Sequence, residues 1–138
     1  MKKVMATGVF DILHPGHIYF LEEAKKLGDV LIVVVARDST AARLKKLPVL
    51  NEKDRLEIIS SLKMVDKAIL GDKNNMFKTV AKIKPDIIAL GYDQAFEEKW
   101  IEEQCRKLGL ATKVVRIKKY KKGRSSRRII RRILNMHD

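Results

Sequence analysis

Cysteine is almost missing from this chain of 138 residues: Cys105 is the only one. A lone cysteine excludes an internal disulfide framework and fits a reducing compartment such as the cytoplasm. It lies in a helical pattern, where it reads as a small packed apolar residue. Long apolar runs are missing too, and none approaches the roughly 20 residues that a membrane span needs. The first residues read straight into a strand, leaving no room for a signal peptide. Neither a Walker-type Gly-x-x-x-x-Gly-Lys loop nor a Gly-x-Gly-x-x-Gly fingerprint occurs, so the two common phosphate cradles are not in use. Nitrogen and sulfur metal ligands are scarce. Beyond His14 and His17 there are only His137 and Cys105, without partner spacing, and a closed zinc site needs more.

What is present reads as one folded domain. Apolar residues make up 46% and charged residues 34%, and the length suffices for a buried core. No repeat or low-complexity tract interrupts it. The abundance of Lys, Arg and Glu would suit a thermophile.

Hydrophobic periodicity alternates strand and helix. Lys3–Thr7 reads as a strand, and 16–27 as a helix stopped by Gly28. The run 29–36 is almost continuously β-branched, the mark of a parallel strand buried on both faces. Residues 37–49 read as a polar, Lys-rich connection. Asn51 caps a helix to about Leu62, with Leu56, Ile59 and Leu62 on its inner face. A strand at 65–70, a helix at 75–83, a strand at 86–90, a helix at 96–108 and a strand at 111–117 follow. A last helix starts near Ser126, with Ile129, Ile130, Ile133 and Leu134 as its buried stripe. This predicts an α/β fold with five parallel strands, flanking helices and right-handed crossovers. Ligands in such sheets bind beyond the carboxyl ends of the strands.

The stretch Ala6-Thr7-Gly8-Val9-Phe10-Asp11-Ile12-Leu13-His14-Pro15-Gly16-His17 lies at such an end, between the first strand and first helix. Gly8 permits a turn and a close approach to a ligand. Pro15 and Gly16 open the helix, whose first N–H groups attract phosphate oxygens. His14 and His17 are three apart, so one helical turn brings both imidazoles to one side. There they can donate hydrogen bonds to phosphate oxygens as charge develops during nucleotidyl transfer.

With Gly8, Phe10, Asp11, His14, Gly16 and His17 in register, the stretch resembles the His-x-Gly-His signature of the nucleotidyltransferase superfamily, most closely its cytidylyltransferase-like branch. Val9 departs from the small hydroxyl residue usual there. The resemblance runs over almost the whole chain. It implies one Rossmann-like nucleotidyltransferase domain over 1–138, with a basic phosphate-binding tail at 118–138. It further implies nucleotide contacts from Thr7, Gly8, Val9, Phe10, His14, Gly16 and His17. His14, His17, Lys46 and Asp11 become the catalytic candidates. Lys45-Lys46 followed by Asn51-Glu52-Lys53-Asp54-Arg55 is similar to the branch's Lys-rich loop and Glu-x-x-Arg helix start. Lys46 would then contact the acceptor phosphate, together with Asp11, and Arg55 would bind the acceptor or order the site. Gly91-Tyr92-Asp93-Gln94 resembles the Gly-x-Asp nucleotide loop, with Gly91 and Asp93 on the nucleotide and Gln94 where cytidylyl-transferring members often carry Trp. Arg124, Ser125 and Ser126 look like a shortened Ser/Thr motif for the β- and γ-phosphates. The short form with Gly-Tyr-Asp-Gln most resembles the archaeal-type FAD synthetases, which transfer AMP from ATP to FMN. Glycerol-3-phosphate cytidylyltransferases, using CTP, and heptose-phosphate adenylyltransferases are the alternatives. The resemblance also implies a divalent ion such as Mg²⁺ carried mainly by the triphosphate, with no protein metal ligands assigned, and a homodimer.

The net charge is +13, and +10 of it lies from Lys113 onward, a basic surface for polyanions. A nucleic-acid-binding module built on that tail is therefore the competing reading. The two are separable, because tail binding does not involve His14 and His17.

Overall fold

A computed structural model describes residues 1–44, 46–120 and 126–136. The first strand, β1 (Lys3–Gly8), leads into α1 (Pro15–Lys26) and then β2 (Val30–Val35). Next come α2 (Asp38–Arg43), α3 (Glu52–Ser60), β3 (Lys67–Leu70), α4 (Met76–Ile83) and β4 (Ile87–Leu90). The order closes with α5 (Glu98–Lys107), β5 (Lys113–Arg116) and α6 (Ser126–Met136). All strands pair in parallel, in the order β3-β2-β1-β4-β5. The expected five-stranded α/β sheet is what the chain forms.

β1 occupies the centre because both its faces are apolar. Val4 and Ala6 face one layer with Leu21, Ala24 and Ile59 of α1 and α3. Met5 faces the other, with Val80, Ile83, Ile101 and Cys105 of α4 and α5. Strands buried on both sides read as apolar runs, not as alternations, and Val30–Val35 does so without a break. Cys105 is buried in this second layer, as its pattern predicts. Among the described residues, three helices start on a side-chain cap: His14 on α1, Asn51 on α3 and Asn75 on α4. Each accepts from an otherwise unpaired first-turn N–H.

Two expectations need correction. The connection at 37–49 contains the short helix α2, which has no side-chain cap of its own. It forms because the Asp38 N–H donates to the Glu52 carboxylate at 2.9 Å and the Asp38 carboxylate accepts from Arg55 at 2.7 Å, both on α3. Tertiary partners supply what local sequence does not. The apolar stripe of α6 is also not buried along its length. Ile129 and Ile130 are half-buried, whereas Ile133 is 46% and Leu134 64% exposed. An amphipathic pattern specifies an apolar face, but only a facing surface can cover it.

The contrast is measurable by chemical denaturation. Ile59→Ala, in the layer under α3, is expected to lose about 2–4 kcal/mol of stability, and Leu134→Ala less than about 0.5 kcal/mol.

Candidate active site

β1 ends at Gly8, and the chain then turns through Phe10, whose φ of 51° lies in the left-handed region. For a non-glycine residue that conformation is costly and clusters at functional sites. Gly8 serves this turn in a different way from the one its sequence suggests. It leaves room, since a Cβ there would stand 2.8 Å from the Phe10 ring. Phe10 is itself only 6% exposed. Its ring meets His17 edge-on at 5.8 Å and packs near Phe20. The ring thus backs His17.

His14 and His17 form a reciprocal cap at the start of α1. The Gly16 N–H donates to His14 Nδ1 at 3.0 Å, and the His14 N–H donates to His17 Nδ1 at 3.3 Å. An N–H can donate only to an unprotonated ring nitrogen, so in the neutral rings both protons reside on Nε2. The rings lie 3.9 Å apart at 31°. Burial pushes the pKa of His17 down from 6.5 to about 4, and the neighbouring His14 pushes it the same way, against smaller opposing effects of Asp93 and Asp11. His17 is therefore neutral at pH 7, with Nε2–H as its donor.

These residues line one cavity of about 520 Å³. It gathers Thr7, Gly8, Val9, Phe10, Asp11, His14, Gly16 and His17 from the first junction, Lys46 from the loop after α2, and Gly91 and Asp93 from the end of β4. The sequence-predicted residues of three distant segments thus meet at the carboxyl ends of β1 and β4. The cavity also takes in Tyr92 and Gln94 of the Gly-x-Asp loop and Lys118, Lys119, Tyr120 and Ile130 of the basic tail, none of them named individually as a site residue by the sequence. Tyr19, Phe20, Leu47, Pro48 and Ile117 line it as well, and their only sign in the sequence is their place beside the predicted segments. Lys46, Lys118 and Lys119 give its rim positive charge, suited to a polyanion.

Asp11 holds a loop. Its two carboxylate oxygens accept from the N–H groups of Val49 and Leu50 at 2.8 and 3.0 Å. This fastens the segment carrying Lys46, Leu47 and Pro48 against the first junction.

Arg55, expected to bind the acceptor or order the site, is not among the residues that line the cavity. It is fully buried and donates to the carbonyls of Leu50, Val9 and Ala36 and to the Asp38 carboxylate. The physical reason lies in two of those carbonyls: Val9 and Ala36 follow the ends of β1 and β2, where the ladder stops, so a guanidinium fork satisfies them.

Gln94, in the place of the branch's Trp, bridges two strand ends. Its Oε1 accepts from the Gly91 N–H at 2.8 Å, and its Nε2 donates to the Thr7 hydroxyl and carbonyl at 3.3 and 3.4 Å. Gly91 leaves space for the Asp93 carboxylate, which stands 3.3 Å from where a Cβ would be. Lys45, Arg124 and Ser125 lie outside the described residues. Ser126 begins α6, with its side chain likewise outside them.

The family model described as "Cytidylyltransferase-like" matches residues 5–132. The chain belongs to the cytidylyltransferase-like family. Among curated relatives, an FAD synthase of Aciduliprofundum boonei is 59% identical over 100% of this chain and 94% of its own. An FAD synthase of Thermoplasma volcanium is 60% identical over 87% of this chain and 84% of its own. A crystal structure of a Thermoplasma volcanium protein, described as a lipopolysaccharide core biosynthesis protein, superposes with a TM-score of 0.86 at 60% identity. It covers 88% of this chain and 99% of that one.

The depressed pKa of His17 has a consequence for stability. Its folded value, about 4, lies below the ordinary 6.5, so as pH falls the unfolded chain takes up the proton first. The stabilisation is complete above pH 6.5 and drains away as pH drops toward 4. Urea midpoints at pH 7 and pH 5 should therefore fall further for the wild type than for His17→Asn, which has no such group to protonate.

Proposed function

We propose that this chain is an adenylyltransferase that joins AMP from ATP to the phosphate of FMN, giving FAD and pyrophosphate. The observation that carries the reading is the reciprocal cap of His14 and His17, which leaves two Nε2–H groups as the ring donors at a helix N-terminus in a cavity rimmed by lysines. FAD synthases at 59% and 60% identity support the choice of acceptor.

In this reading the triphosphate lies over the N-terminus of α1, where backbone N–H groups and the helix dipole favour negative charge. An oxygen of the FMN phosphate attacks the α-phosphorus in line. The new P–O bond forms as the bond from the α-phosphorus to the bridging oxygen of the β-phosphate breaks, and the electron pair leaves with pyrophosphate. No proton needs removal, because the attacking phosphate oxygen is already ionised. Catalysis is then positioning and charge stabilisation. His14 and His17 donate to the oxygens on which charge builds, Lys46 holds the acceptor phosphate, and Asp93 with the loop around it meets the nucleoside. Arg124, Ser125 and Ser126 would hold the departing β- and γ-phosphates.

A divalent cation suits this chemistry as charge neutralisation on the triphosphate. Among the described residues no group of three His, Cys, Asp or Glu side chains is arranged to hold an ion. The carboxylates lining the cavity are Asp11 and Asp93, so an ion arriving on ATP would find its protein partner in one of these. The second reading, transfer of AMP to a sugar phosphate, is favoured by the description given to the Thermoplasma volcanium structure. It uses the same residues with a different acceptor.

Pyrophosphate release with Mg²⁺ and ATP, run against FMN, a heptose phosphate and glycerol 3-phosphate, separates the readings. Turnover with FMN and FAD as product is expected. His14→Ala and His17→Ala should each lower kcat by about 10²–10³-fold, the usual effect of losing a preorganised donor. Turnover with a sugar phosphate alone would overturn the acceptor assignment and leave the site chemistry in place.

A further inference from the structure

Arg116, the last residue of β5, stands behind the loop that follows β4. Leu90 is its register partner across the sheet, and Gly91 begins the loop. The guanidinium has five N–H donors, and each has a partner. One Nη1 hydrogen bond goes to the Gly91 carbonyl and one to the Gln94 carbonyl, both at 2.9 Å. Nη2 donates to the Phe96 carbonyl and to Glu98 Oε1, both at 2.6 Å, and Nε donates to the same Oε1 at 3.1 Å. Three carbonyls of a six-residue segment thus converge on one side chain. Arg116 does not line the cavity, whereas Gly91, Tyr92, Asp93 and Gln94 do.

Loops of this kind usually hold their shape through turns of their own. Here the segment 91–96 has one internal backbone bond, from Gln94 N–H to the Gly91 carbonyl at 3.3 Å. Gln94 adds its side-chain bridge to Gly91 and Thr7 on the cavity side. Arg116 grips the carbonyls from the other side, and Glu98, at the start of α5, fixes Arg116 in turn. The hydrogen bond from Arg116 holds the Glu98 carboxyl below its ordinary range, so it stays ionised.

We propose that Arg116 is a positioning residue for nucleotide recognition, which sets the backbone of residues 91–96 so that Asp93 and the groups beside it meet the nucleoside of ATP. The inference rests on the adenylyltransferase reading and extends it to a residue outside the cavity. A lysine cannot replace it: an ammonium presents three donors from one point and cannot span three carbonyls and a carboxylate in a plane. The fork acts on the loop and not on the acceptor or the transferring phosphate. Its loss therefore falls on ATP affinity.

The test is Arg116→Lys and Arg116→Met in the full chain, with ATP affinity by calorimetry in the absence of acceptor and steady-state kinetics for ATP and FMN separately. Both variants should weaken ATP binding about tenfold or more, the scale of losing charge-assisted hydrogen bonds. FMN KM and kcat at saturating ATP should stay close to wild type, and lysine should give no rescue. ATP affinity unchanged, or weakening shared equally by ATP and FMN, would overturn the proposal. Should both variants fail to fold, Glu98→Ala, which removes only the outer anchor, should still raise the ATP KM selectively; no selective rise would overturn it. Wild-type protein that binds ATP without using FMN would refute the acceptor assignment alone. Wild-type protein that does not bind ATP would refute both.

Discussion

A parallel sheet wound outward in two directions from its first strand has one point where successive crossovers fall on opposite faces. In this chain that point lies between β1 and β4. The helices α1 and α3 pack on one face, α4 and α5 on the other, so these four leave the carboxyl ends of β1 and β4 between them. A crevice there is a consequence of strand order. Thr7 and Gly8 end β1, His14, Gly16 and His17 open α1, Gly91 follows β4, and Asp11 is tied to the segment beside the crevice by hydrogen bonds. The order in turn requires β1 to be apolar on both faces, which Val4, Met5 and Ala6 provide.

The crevice is held open in a defined shape by groups that do not react. Asp11 pins the segment 49–50, Arg55 closes the ends of β1 and β2, and Gln94 bridges β1 to β4. Arg55 and Gln94 replace ladder partners that strands lack at their ends. Polar side chains in and behind the cavity wall therefore set its geometry, while the lysines on the rim supply its sign. His17 is kept neutral between them. A neutral imidazole donor at a helix N-terminus stabilises developing negative charge without taking up a proton, which suits a reaction in which no proton must move.

Much of the fold was legible because its signals are local. The unbroken Val30–Val35 run, the caps at Asn51 and Asn75, and the glycines after helices are all written in consecutive residues. The helix α2 was not legible, since its first turn is secured by Glu52 and Arg55, which lie 14 and 17 positions beyond Asp38. The stripe of α6 was legible as a pattern, but its exposure depends on what faces it. At the site, the spacing of His14 and His17 put both at one helix start. It could not show that each Nδ1 turns to a backbone N–H, which is what decides the proton's position. The resemblance pointed to Asp11 and Arg55 but could not show their partners, which lie 38 and 39 residues from Asp11 and between 5 and 46 residues from Arg55. Arg116 carried no signal at all, because the carbonyls it gathers have no sequence signature.

The central claim is that both imidazoles present Nε2–H to an anion at the start of α1. The most direct measurement is side-chain nitrogen NMR of ¹⁵N-histidine-labelled protein at neutral pH, with and without ATP. The expected spectrum shows His14 and His17 as Nε2–H tautomers, with their Nε2 resonances shifting as nucleotide binds and the Nδ1 resonances holding their place. Nδ1–H tautomers, or Nε2 resonances indifferent to saturating ATP, would contradict it.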